Sequence, residues 1–268
     1  MPPARRSSPV ARPPHHRSAA ERSRGRVRPT DRVTLFGRHA VLAALANPQR
    51  EPIRLLAADP EDPALQAAAA GRQLTPEPAT AGELQRLAGA DAVHQGLVLV
   101  ARSLEPADLA AIAAAGQPVL VLDQVEDPRN VGAILRSAAA FGVGGMVMQT
   151  RHAAPLNGVC AKAASGALEW VPIALEVNLA RSLQTLQEAG YWVAGLDGAG
   201  EVALADFRPA ERPALVLGAE GRGLRPLVRD RCDQRVRIPL RPPVESLNVA
   251  VTAGIVLCHV ASAAPRSS

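Results

Sequence analysis

Apolar and polar positions divide the chain into stretches of different character. Residues 1 to about 30 hold eight arginines, several prolines and serines, and almost no apolar side chains. Such a stretch cannot bury a core, so a disordered basic arm is expected. An arm of this kind either adds salt-sensitive affinity for RNA or is a solvated tail, and its residues favour neither reading. From 31 to about 105, short apolar runs alternate with turn residues. They predict a helix from Gly37-Arg38-His39-Ala40 through Leu45, a strand over Ile53 to Ala57 and helices over Pro63 to Ala70 and Ala81 to Leu87. A strand over Leu97 to Ala101 follows His94-Gln95-Gly96. About 75 residues of this content make a small but complete α/β unit. Leu104 to Pro118 reads as a linker (106–118) with a short helix.

From Val119 the pattern becomes strand, helix, strand. Val119 to Leu122 reads as a strand, and Asn130 is expected to cap a helix. The apolar positions of that helix, Val131, Ile134, Leu135 and Ala138, have helical spacing. Gly142, Gly144 and Gly145 end it before a strand at Met146 to Gln149. A helix over Asn178 to Glu188 and a strand over Tyr191 to Leu196 follow. Two late runs, Leu215 to Leu217 and Val236 to Leu240, stop at glycine or proline and read as buried strands ending in loops. Ser246-Leu247-Asn248 then opens a long proline-free apolar helix. Residues 119–262 are therefore expected to form a parallel sheet with helices on both faces. In such folds ligands sit where strands run into glycine-rich loops, which draws attention to Glu220 and Asn248.

Composition narrows the chemistry. No apolar run approaches the roughly 20 residues of a membrane helix. The Arg- and Pro-rich start does not resemble a secretory signal, so a cytoplasmic location and no membrane partner are expected. Cys160, Cys232 and Cys258 are scattered and the six histidines show no ligand spacing, so no metal site is expected. The net charge is +5, and Lys162 is the only lysine. An arginine-dominated basic chain suits a nucleic-acid partner, since guanidinium binds phosphate in a bidentate fashion. No phosphate-loop lysine motif occurs. The turn from Asp123 to Asn130 lacks the dinucleotide-binding glycine pattern.

Three separated blocks carry a resemblance. They are Asp127-Pro128-Arg129-Asn130-Val131-Gly132 with Arg136-Ser137-Ala138, then Leu217-Gly218-Ala219-Glu220-Gly221-Arg222-Gly223-Leu224, and then Ile238-Pro239-Leu240 with Ser246-Leu247-Asn248-Val249-Ala250-Val251. In this order and spacing they resemble the three motifs of the SPOUT superfamily of RNA methyltransferases, in its TrmH branch of ribose 2′-O-methyltransferases. The stretch 31–105, with its Gly37 and His94 motifs, looks like the ribosomal-protein-like RNA-binding domain of RlmB-type members. Lys162-Ala163-Ala164-Ser165-Gly166-Ala167 also fits the RlmB-type pattern.

The resemblance implies a trefoil-knotted catalytic domain, a homodimer, and S-adenosyl-L-methionine as methyl donor to a ribose hydroxyl, with a guanosine of 23S rRNA as the expected target. Gly218, Ile238, Leu240 and Leu247 would hold the cofactor. Arg136 would activate the hydroxyl, with Asn130 and Glu220 orienting it and the ribose, and Ser246 and Asn248 fixing the loop. Arg129 and Lys162 are expected RNA contacts. A guanidinium keeps its proton, so Arg136 is expected to act by charge rather than as a base. Pro242-Pro243-Val244-Glu245 departs from the small or polar residues usual there and stiffens that loop. Plainer roles stay open for single residues: Asn130 and Asn248 as caps, Glu220 as a helix-start carboxylate, Arg136 and Lys162 as surface residues. Two other functions stay open as well. One is the same reaction on tRNA, or on rRNA as a resistance activity. The other is a catalytically idle RNA-binding or ribosome-assembly protein.

Overall fold

Two sheets, joined by one continuous core, organise the computed structural model, which describes residues 32–263. The arm expected over residues 1–30 lies outside them. The first sheet contains β1 (Arg32–Phe36), β2 (Pro52–Ala57), β3 (Glu77–Pro78) and β4 (Leu97–Arg102), in the order β1-β4-β2-β3. Helices α1 (Arg38–Ala46), α2 (Pro63–Ala70) and α3 (Ala81–Ala88) connect them. Local signals set the ends of two of these helices. Asp62 accepts from Leu65 N ahead of Pro63, and Thr80 with Glu83 forms a reciprocal capping box.

The second sheet is parallel throughout, in the order β7-β6-β5-β10-β8-β11-β9. It follows α4 (Leu109–Ala115) and comprises β5 (Val119–Asp123), β6 (Gly145–Gln149), β7 (Ile173–Glu176), β8 (Trp192–Leu196), β9 (Val202–Ala203), β10 (Pro213–Gly218) and β11 (Gln234–Arg237). The helices are α5 (Pro128–Ala140), α6 (Gly158–Ala164), α7 (Leu179–Glu188), α8 (Pro226–Arg229) and α9 (Val249–Ala263), with a 3-10 turn at Ala167–Glu169. β5 and β10 run side by side in the middle, and their unbroken apolar sequences are buried, as parallel strands covered on both faces require. One core gathers Leu35, Leu55 and Leu99 of the first sheet with Leu120 and Leu122 of the second and Ile134 of α5.

Two sequence expectations are corrected. The helix after β5 begins at Pro128, not behind Asn130. Asp127 is its cap and accepts from Arg129 N at 2.8 Å, while Pro128 has no N–H to leave unpaired. Asn130 is thereby inside the first turn with its side chain available for other contacts. The strand expected over Val236 to Leu240 covers Gln234–Arg237 instead. Its ladder with β8 and β9 ends at Arg237, and Pro239 lacks the N–H to extend it. Several short elements were invisible to periodicity. Among them β1 and β7 have five and four residues, and α6 is a seven-residue run of mostly small side chains.

Helices α5 and α6 touch through a glycine. A Cβ on Gly132 would lie against the Cys160 carbonyl, 2.6 Å from Ala163 Cβ and 3.0 Å from Ala164 N. Two of those atoms are backbone and cannot rotate away. In an ordinary helix Gly→Ala gains about 1 kcal/mol. Here overpacking, typically about 1–3 kcal/mol, opposes it. Gly132→Ala is therefore expected to lower the urea unfolding midpoint, and an unchanged or higher midpoint would show that the two helices can separate cheaply.

Candidate active site

The parallel sheet brings the C-terminal ends of β5, β10, β8 and β11 to one edge. The loops leaving that edge carry the motif residues. In the central pair, Gly218 at the end of β10 is in register with Asp123 at the end of β5. Asp123 is fully buried and accepts from Arg225 N at 2.9 Å and Arg225 Nε at 2.7 Å. A buried carboxylate needs such partners, and this one pins the far end of the loop 219–225 beneath the strand edge. The loop folds back on itself, with Gly223 N donating to Ala219 O at 2.9 Å. A side chain at Gly218 would collide with the backbone of Gly223 and Leu224, and Gly223 itself has a φ of 65°. The close backbone requires glycine at 218, and the left-handed φ favours it at 223.

That turn presents Glu220. Its Oε1 accepts from Asn130 Nδ2 at 2.9 Å, Asn248 Nδ2 at 2.8 Å and Val249 N at 3.2 Å. Asn248 Nδ2 also donates to Asn130 Oδ1 at 2.9 Å. Asn248 Oδ1 caps α9 by accepting from Ala250 N at 2.9 Å and Val251 N at 3.3 Å. Three residues from three distant stretches thus close one network on one carboxylate oxygen. The capping and helix-start roles read from sequence are real for Asn248 and Glu220, and they are part of the network rather than a substitute for it. Glu220 Oε2 receives no hydrogen bond from the described residues. It is the acceptor left for a bound hydroxyl or amine.

The remaining sequence candidates sit around this cluster or away from it. Gly218, Ile238, Leu240 and Leu247 are half-buried at the same strand edge, Leu247 directly beside Asn248 in the chain. β8 separates β10 from β11, so the two strand ends lie roughly 10 Å apart. Arg129 is exposed at the start of α5, next to Asn130. Arg136 is six residues further, so it lies about 9 Å along α5 and on another side of the helix. It is exposed and has no hydrogen-bond or ion-pair partner among the described residues, so it does not join its own chain's cluster. Ser246 is exposed and likewise outside the network. Lys162 lies elsewhere, its ammonium on Gln95 Oε1 of the first sheet's unit. Asp123 and Arg225 escaped the sequence reading. The available signal was a carboxylate closing an otherwise apolar strand. Among the described residues no group of histidine, cysteine and carboxylates could hold a metal ion, and no helix is long and apolar enough to cross a membrane.

A parallel α/β domain with a carboxylate–amide cluster at its C-terminal strand edge, preceded by a small unit of its own sheet, defines a class that comparison with known proteins makes specific. The SpoU rRNA Methylase family matches residues 117–258, and a domain described as RNA 2'-O ribose methyltransferase substrate binding matches residues 34–107. The chain belongs to the SpoU rRNA methylase family. It is 36% identical to an uncharacterized tRNA/rRNA methyltransferase of Mycolicibacterium vanbaalenii, over 94% of this chain and 86% of that one. A protein of the same description from Mycobacterium avium is 40% identical over 66% of this chain, a match spanning 59% of that relative's length. The SpoU methyltransferase AviRb of Streptomyces viridochromogenes, solved with AdoMet, shares the fold with a TM-score of 0.75 at 21% identity, covering 91% of this chain and 93% of that one.

One substitution separates the cap from the cluster. Asn248→Asp keeps the acceptor that caps α9 but loses both Nδ2 donations and sets a second carboxylate against Glu220. Stability in chemical denaturation is expected to fall by less than the ~1 kcal/mol typical of losing a cap. Loss of Glu220 ordering should be visible in a crystal structure of the variant. An unchanged Glu220 position would mean the network is incidental.

Proposed function

We propose that this chain transfers a methyl group from S-adenosyl-L-methionine to a ribose 2′-hydroxyl of RNA. The observation that carries the reading is the convergence of Asn130, Asn248 and Val249 N on Glu220 Oε1 at the ligand-binding edge of the sheet. The residues present fit the cofactor. Gly218 leaves the strand end clear of side chain, and half-buried Ile238, Leu240 and Leu247 supply apolar surface for an adenosine. Bound there, S-adenosyl-L-methionine supplies a methyl group on a sulfonium, ready for in-line displacement. Glu220 Oε2 accepts a hydrogen bond from the ribose hydroxyl, orients its oxygen, and takes its proton as the oxygen–methyl bond forms and the methyl–sulfur bond breaks. The two asparagines hold that carboxylate still, and positioning of this kind supplies several kcal/mol.

RNA as substrate is supported by charge as well as by family. Arg129, Arg151, Arg222 and Arg241 are exposed on segments leaving β5, β6, β10 and β11, without ion-pair partners among the described residues. Guanidinium groups fanned over one edge suit a phosphate backbone. A guanosine of 23S rRNA is the proposed target, from the RlmB-type look of the first unit. The relatives' description as tRNA/rRNA methyltransferases keeps tRNA as the competing substrate.

The same proposal includes a homodimer and the knotted threading of the C-terminal segment that the resemblance implies. α9 packs on α5 and exposes Val251 and Ile255, 50% and 39% accessible, with Cys258 one turn on. An apolar stripe of that kind suits a second copy. In the dimer Arg136 serves the other protomer's cluster, stabilising charge on the ribose oxygen while keeping its own proton.

Tritium transfer from labelled S-adenosyl-L-methionine to 23S rRNA and to tRNA, followed by mapping of the modified ribose, tests the reading. Incorporation into neither would favour an idle RNA-binding protein. Arg136→Ala should abolish transfer while cofactor affinity stays within about a few-fold, since the residue acts on the transition state. Mixing Arg136→Ala protomers with Glu220→Gln protomers should restore about one quarter of the wild-type sites if each site draws on both copies of a two-fold dimer. No recovery on mixing would place Arg136 in its own chain's site.

A further inference from the structure

We infer that α6 and the turn after it lock the first unit to the catalytic helix as one rigid body, so that the junction fixes which ribose along a bound RNA reaches the site. The inference rests on the RNA methyltransferase reading and adds to it a set of positioning residues: Lys162, Gln95, Arg50 and Glu169.

One face of the segment 158–169 meets the first unit at intervals of four, four and three residues. At Gly158 a Cβ would strike the Thr34 carbonyl and lie 2.6 Å from the Phe36 ring, so the backbone of α6 rests directly on β1. At Lys162 the ammonium reaches Gln95 Oε1, which also accepts from Arg38 N at 3.3 Å. The Lys162 side chain fills the space over Gly37, whose Cβ would be 2.7 Å from its Cδ. At Gly166 a Cβ would be 2.8 Å from Ala43 Cβ of α1. At Glu169 the carboxylate takes Arg50 Nη2 at 2.6 Å, Arg50 Nε at 3.1 Å and Asn47 Nδ2 at 2.9 Å, with both side chains of the ion pair only 2% accessible. Arg50 Nη1 donates to Arg102 O at 2.8 Å, so that guanidinium is also tied to the end of β4.

The other face of α6 is pressed on α5 at Gly132. α5 carries Asn130 and Arg136. The path from the Gly37 and His94-Gln95-Gly96 loops to the catalytic cluster therefore crosses two close-packed helix faces and no flexible segment. A flexible tether would leave no reason for a bidentate ion pair to be buried between the units, because pulling the units apart would expose or strand both charges. A junction of this kind acts as a spacer of constant length. RNA held by the first unit is delivered to the strand edge at one offset, and a displacement of about 1 Å there can cost on the order of a hundredfold in rate.

The test uses the full chain. Lys162→Met and Gln95→Leu remove the half-exposed clamp with little threat to folding, Gln95→Glu replaces it with an ion pair, and Glu169→Gln probes the buried pair. Spin labels at Ala67→Cys and Glu188→Cys in a Cys232→Ser, Cys258→Ser background, with the labelled chain diluted into excess unlabelled chain, report the distance between the units within one protomer. Wild type and Gln95→Glu are expected to give one narrow distance, and Lys162→Met and Gln95→Leu a broadened one. On deproteinised 23S rRNA, the loosened variants should lower kcat by about tenfold or more while KM stays within about threefold, because the first unit still binds the RNA but no longer holds it at the transition-state position. Their methyl groups should spread to riboses flanking the wild-type position. Simple destabilisation would lower total transfer without spreading it. A broad distance distribution in the wild type, or loosened variants that keep the wild-type kcat and a single methylated ribose, overturns the inference. If wild type methylates no RNA, the proposed function fails and the positional role with it, while the distance measurement still decides whether the junction is rigid.

Discussion

The parallel pairing of β5 with β10 is the constraint from which the site follows. These strands are separated by most of the catalytic domain in sequence, yet Gly218 and Asp123 end them side by side. Once they pair, the turn into α5 and the glycine turn after β10 must leave the sheet at the same edge. Buried Asp123 then holds Arg225, and Glu220 is presented toward the start of α5. The apolar burial of both strands stabilises the pairing, and the polar groups at their ends are satisfied by each other rather than by water.

From that edge the structure works by close approach. Glycine lets backbones touch at Gly218 over Gly223, at Gly132 under α6 and at Gly158 on β1. Each contact removes the slack a side chain would leave, so the carboxylate cluster, the helix bearing Arg136 and the first unit have little freedom to move separately. Rigidity of this sort suits a reaction whose catalysis is mainly positioning. Arg136 and Arg129 stand exposed and without ion-pair partners among the described residues, as their proposed use by a bound partner requires.

Much of the candidate site could be read in the sequence because its parts are local. Glycines and prolines marked the loops, the apolar runs of β5 and β10 marked the buried strands, and the capping competence of Asn248 was legible from its place before an apolar helix. Other readings failed for physical reasons. Asn130 looked like a cap, but Asp127 with Pro128 makes a better start to α5. Pro239 stops β11 earlier than its apolar neighbours suggested. Lys162, read from its motif as either a phosphate contact or a solvated helix residue, has its ammonium on Gln95, a contact between units that spacing along the chain does not show.

By itself the sequence determined the alternating α/β class, the glycine-bounded loops and the residue types the chemistry needs, since these depend on spacing over a few residues. Only the tertiary structure decided that Asn130, Glu220 and Asn248 share one oxygen, that Arg136 stands apart from them, and that Arg50 and Glu169 pair out of water. Those outcomes come from pairings across tens to more than a hundred residues, where strand order and helix packing, not local preference, set which side chains meet.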